Sequence, residues 1–176
     1  MKKNILFIVI IATLFCACRK PVIYPDTPEI ALIEFKEETD DYNNDGAELK
    51  FSFKDGDGDI GLNGDDDYPP FDLSSIYYYN LFIDYYEKQN GEFVKIDWEL
   101  NNIGDTVPFS LNARIPRLSK QLKEPIDGEI TYYILRHYPF SSTSDTMKLK
   151  FYIVDRTLNQ SNVLEAEMIR GFEIRD

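Results

Sequence analysis

Leu49, Phe51 and Phe53 alternate with Glu48, Lys50, Ser52 and Lys54. A period of two with one apolar face predicts a half-buried strand over 48–54. The same signal recurs along the chain, separated by turn residues. Strands are expected over 29–37, 77–88, 93–100, 129–138, 147–155 and 162–174. Asn90 and Gly91 sit between two of these runs, and that pair favours a tight hairpin turn. Val94, Ile96, Trp98 and Leu100 would share one face of the second arm. In 147–155, Met147, Leu149, Phe151 and Ile153 alternate with Lys148, Lys150 and Tyr152. Residues 107–116 alternate less regularly, and 117–124 reads as one helical turn or a loop. No convincing amphipathic helix appears. Seven or eight strands with regular turns predict an all-β antiparallel sandwich over residues 30–176.

The ending "FYIVDRTLNQSNVLEAE" resembles the last two strands of bacterial immunoglobulin-like and fibronectin-like domains. The resemblance implies that Asp155, Asn159 and Ser161 are turn residues capping backbone groups. Residues 18–29 differ in character. They carry Pro21, Pro25 and Pro28 without alternation, and read as an extended tether.

Before the tether, Lys2 and Lys3 precede an apolar run from Ile5 to Ala17. That run is short for a bilayer span and fits a secretory signal over residues 1–17. Ala17 followed by Cys18 resembles a lipoprotein signal peptide, with Phe15 in place of the usual leucine. The resemblance implies cleavage before Cys18 and lipidation of its thiol and amine. Two or more acyl chains hold a protein stably on a membrane. Arg19, where an aspartate would imply inner-membrane retention, points to the outer membrane. The basic, proline-rich "RKPVIYP" favours the periplasmic face over the cell surface. "FSFKDGDGDIGL" together with the C-terminal pattern resembles a group of uncharacterised Bacteroidota lipoproteins. That resemblance implies location and fold, and no activity.

Charge narrows the partners. The net charge is −12, and it becomes −14 once Lys2 and Lys3 leave with the signal. Nucleic acid binding needs clustered Lys and Arg, which are lacking. Removal of Cys16 and lipidation of Cys18 leave no thiol for a disulfide. His137 stands beside Arg136 at a strand end and reads as a surface residue. No nucleophile elbow, zinc-protease motif or phosphate loop is present, and no carboxylate pair stands out as a glycosidase dyad. The chain reads as a non-enzyme.

One stretch concentrates the chemistry. "KDGDGDIGLNGDDD" places six aspartates within residues 55–67. Like charges at that density must stay apart in solvent, shift their pKa values or share a cation. Asp55, Asp57 and Asp59 have one-three-five spacing, and Asn63 and Asp66 fall at positions nine and twelve. Calcium takes six to eight oxygens of this kind. Ile60 at position six, aspartate at twelve and the absence of flanking helices exclude an EF-hand. The expectation is a structural calcium loop at a strand end, with a solvated acidic turn as the alternative. A shorter second candidate is Asp41, Asn43 and Asp45, against an ordinary Asn-Asp-Gly turn. Thr106 and Thr146, in "DTV" and "DTM", resemble O-glycosylation acceptors of Bacteroidota envelope proteins.

Tyrosines cluster at 77–79, 85–86 and 132–133. On an open sheet face they would offer stacking surface to a sugar; alternatively they fill the core and cover the sheet. The reading is therefore a lipid-anchored envelope module that binds or scaffolds other envelope proteins. A carbohydrate-binding module using the tyrosine face is the rival.

Overall fold

The computed structural model describes residues 23–39, 45–101, 103–118, 124–134 and 146–169. His137, Cys18 and the pair Asp41 and Asn43 lie outside them. Nine strands form among the described residues: β1 Glu29–Thr39, β2 Asp45–Asp55, β3 Leu81–Gln89, β4 Glu92–Ile96, β5 Trp98–Leu100, β6 Thr106–Pro108, β7 Ile126–Ile134, β8 Thr146–Ile153 and β9 Leu164–Ile169. All pairings are antiparallel. One sheet has the order β1-β2-β7, a second β4-β3-β8-β9, and β5-β6 form a small ribbon. The chain makes a hairpin in the first sheet, crosses to make one in the second, returns through β7 and crosses again through β8. This is the connectivity of an immunoglobulin-like sandwich.

Alternation explains which faces meet. Leu49 and Phe51 of β2, and Leu149, Phe151 and Ile153 of β8, are fully buried. The Phe51 and Phe151 rings meet with centroids 5.3 Å apart, which locates the core. Burying residues of this size contributes about 1.5–3 kcal/mol each. The β3–β4 turn is the expected one: Asn90 and Gly91 take φ values of 52° and 89°.

Three expected elements form differently. The strand expected from 77 begins at Leu81, because Ile76–Tyr78 coil into a 3-10 turn capped by Ser75, whose hydroxyl accepts the Tyr77 amide. The run 93–100 breaks after Ile96, and Phe109 N donates to the Asp97 carbonyl at 2.9 Å. Only Ile96 of the four apolar residues expected on one face is buried; Val94, Trp98 and Leu100 are exposed. In 107–116 the ladder is limited to β6, yet Phe109, Leu111 and Ile115 enter the core. Hydrogen bonds between Ala113 and Leu81 and between Ile115 and the Asn80 side chain hold that segment in place.

Candidate metal centre

Residues 56–80 join β2 to β3 across the sheets and contain no strand. Ordered connections of this length with so little regular structure are commonly functional. This one is packed: Ile60, Leu62, Phe71, Asp59 and Asp66 are all buried. Its path depends on glycine at two points. Gly58 and Gly61 have φ of 68° and 99°. A Cβ at either would fall within 2.3 Å of a carbonyl oxygen, that of Glu124 or of Pro116. The loop therefore curls against its neighbours where a side chain would forbid it.

The curl gathers carboxylates. Asp55, the last residue of β2, accepts the Asp59 amide at 2.9 Å through Oδ2. Asp59 in turn accepts the Thr157 amide at 3.1 Å through its own Oδ2. Asp155, just past β8, completes a buried triad in which one oxygen from each residue lies within 4.8 Å of the others. Asp155 Oδ1 accepts the Asn159 amide at 2.7 Å and the Thr157 hydroxyl at 3.1 Å, and Oδ2 accepts the Asn159 side-chain amide at 2.9 Å. Asp155 thus does cap its turn, and it also faces the loop. Ser161 likewise accepts the Ile153 amide at 3.1 Å.

Three oxygens remain without a hydrogen-bond partner although buried: Oδ1 of Asp55, of Asp57 and of Asp59. Burial of a carboxylate without compensation is costly. The effect on protonation is visible. Burial first, with the charges of Asp57, Asp59 and Asp155 adding to it, pushes Asp55 up to about 6 against the pull of the Asp59 amide. Burial, then Asp155 and Asp57, push Asp59 up to about 6, and the Arg156 charge opposes them only in part. Arg156 donates from Nη1 to the Gly61 carbonyl at 3.2 Å, while its Nη2 has no partner. One guanidinium stands against four carboxylates.

The other two expected ligands have protein partners. Asp66 is buried and paired with Arg117, whose Nε donates to Oδ2 at 3.0 Å while Nη2 reaches Oδ1. Asp66 Oδ2 also accepts the Asn63 amide at 2.6 Å. Asn63 is exposed, and its carbonyl accepts from Arg114 at 2.8 Å. Arg114 holds this half of the connection by donating also to the carbonyls of Asp66 and Tyr78, at 2.6 and 2.9 Å. The loop therefore has an acidic half, 55–59, and an arginine-bound half, 63–66.

Of the remaining candidates, Asp45 opens β2 opposite Thr39. Thr106 is exposed, whereas Thr146 is 8% exposed. The tyrosines divide between environments. Tyr85 lies in the core and donates to Glu87 at 3.0 Å. The Arg114 guanidinium lies 4.8 Å from the centre of the Tyr78 ring. Tyr132 donates to the Leu111 carbonyl, and Tyr133 faces solvent.

Comparisons of the chain with protein families, curated proteins and solved structures returned no match.

Proposed function

We propose that the chain is a lipid-anchored outer-membrane module that binds or scaffolds other envelope proteins, with its β2–β3 connection held by a structural calcium ion. The observation that carries the cation is the set of orphaned Oδ1 atoms on Asp55, Asp57 and Asp59. All donors there are hard oxygens, with no sulfur or imidazole in the cluster. That donor set suits calcium or magnesium rather than zinc or copper, and an irregular loop suits calcium's looser coordination geometry better than magnesium's strict octahedron. The ion would rigidify the connection and add stability by linkage, about 2.7 kcal/mol at a hundred times its dissociation constant. Equilibrium dialysis of the full chain against calcium chloride tests this: one ion per chain is expected, and none would overturn it.

The anchored part of the reading rests on Lys2, Lys3, the apolar run and Cys18. Labelling cells with a radioactive fatty acid should mark the native protein and leave Cys18→Ser unmarked; an unmarked native protein would contradict it. Val94, Trp98, Leu100 and Ile103 are near one another in sequence and all exposed, and this apolar surface supports a binding role. The rival carbohydrate-binding reading draws support from the stacked rings of Phe82 and Tyr152, 5.0 Å apart and 13° from parallel, and from exposed Tyr133. A glycan array separates the two, since a scaffold binds no sugar.

A further inference from the structure

Asp55 ends a strand of the three-stranded sheet, and Asp155 follows a strand of the four-stranded sheet. Their carboxylates nevertheless converge with that of Asp59, one oxygen of each within 4.8 Å of the others. Calcium binds oxygen at about 2.3–2.6 Å, so two ligands on one ion stand at most about 5 Å apart. The triad meets that limit without rearrangement of the backbone.

The hydrogen-bond inventory leaves the right vacancies for an ion. A carboxylate has about four lone-pair directions. Asp155 uses three, on Asn159 and Thr157. Asp55 and Asp59 each receive one hydrogen bond from a backbone amide and keep an Oδ1 with none. Both are more than nine-tenths buried, at 0% and 5% exposure. Water therefore has little access to those oxygens, and Arg156 reaches the Gly61 carbonyl instead.

We infer that the ion is a clamp between the two sheets, with Asp155 as a ligand beside Asp55 and Asp59, and with Asn63 and Asp66 outside its shell. The inference rests on the cation reading above and changes what the ion does. A loop ion would order residues 55–66 alone. A clamp fastens the end of β2 to the end of β8, and so adds an ionic tie between two sheets that otherwise meet through side-chain packing and a few hydrogen bonds, such as those between Ile30 and Asn162. It also uses a residue a hundred positions further along the chain than Asp55, which no linear loop motif contains.

The test is calorimetric titration of calcium chloride into the full chain in detergent, for the native protein, Asp155→Asn and Asn63→Ala. Asparagine keeps an acceptor for Asn159 and Thr157 but loses the charge. Asp155→Asn should weaken binding tenfold or more, and Asn63→Ala should bind as the native protein does. Native binding with Asp155→Asn unaffected would overturn the clamp and leave a loop site standing. No binding by the native protein would overturn the cation reading itself. Hydrogen exchange on the native chain provides a second readout if Asp155→Asn folds poorly. Calcium should slow exchange at the amides of both Asp59 and Asn159. Slowing confined to residues 55–66 would contradict the clamp.

Discussion

Asp66 and Arg117 form a two-point pair, with Arg117 Nε 3.0 Å from Asp66 Oδ2 and Nη2 against Oδ1. The aspartate is 2% exposed and the arginine side chain 32%. Burial opposes the charged form of Asp66, but the hydrogen bonds from Arg117 and Asn63 and the arginine charge outweigh it, holding the carboxyl below its usual range. Its contribution to stability is therefore present above pH 3.8 and is lost as pH falls below that value. This pair neutralises one end of the aspartate-rich stretch by protein alone.

Arg117→Ala should lower unfolding free energy by about 1.5–3 kcal/mol, the contribution of hydrogen bonds to a charged group. Urea denaturation measures it. The loss should be the same in calcium and in metal-free buffer. A loss appearing only in calcium would place Asp66 in the ion's shell.

The acidic half of the loop should respond to pH in the opposite sense. Asp55 and Asp59 rise from 3.8 to about 6 on folding. The folded state then binds more protons than the unfolded, so their effect in metal-free buffer is loss of stability as pH rises from 3.8 to about 6, with no further change above. Calcium needs the deprotonated carboxylates, so its stabilising effect should grow over the same window. Melting temperatures across pH 4–8 in both buffers check this, and a calcium effect independent of pH would contradict it.

Gly61 has φ of 99°, and a Cβ there would stand 2.2 Å from the Pro116 carbonyl oxygen. Gly61→Ala should cost about 1–3 kcal/mol from backbone strain, with the clash adding to it. Gly64, which has nothing within 4 Å, is the control. Gly64→Ala should stay within about 0.5 kcal/mol of the native protein by the same denaturation assay.

Phe51 and Trp98 separate core from surface among the aromatics. Phe51 is fully buried and Trp98 is 47% exposed. Phe51→Ala should cost about 3–5 kcal/mol through the cavity it leaves. Trp98→Ala should change stability by about 0.5 kcal/mol or less. Thermal unfolding of the two variants side by side provides the check.

These residues also mark what the sequence could and could not convey. Phe51 was legible because its neighbours alternate, and the same rule recovers β2 and β8, while turn chemistry recovers the Asn90–Gly91 hairpin. Trp98 was not. Its run alternates equally well, but the strand breaks at Asp97, and the β5-β6 ribbon leaves the sheet that would have covered it. Spacing marked Asp55, Asp57 and Asp59 as a cluster because they are near neighbours in the chain. The same spacing pointed to Asp66, whose partner Arg117 lies 51 residues away and is brought there only by the packed connection. Asp155 was readable as a turn residue at the end of "FYIVD". Its second role needed the strand order, since only the stacking of the β2 end on the β8 end brings it to Asp59.

The most direct test is thermal unfolding of the full chain in millimolar calcium and in chelator at pH 7.5. A bound ion at a hundred times its dissociation constant should raise the melting temperature by about 5–10 °C. An identical melting temperature in the two buffers would mean that the aspartates of residues 55–59 are balanced by Arg156 and their backbone hydrogen bonds alone, and that no ion sits among them.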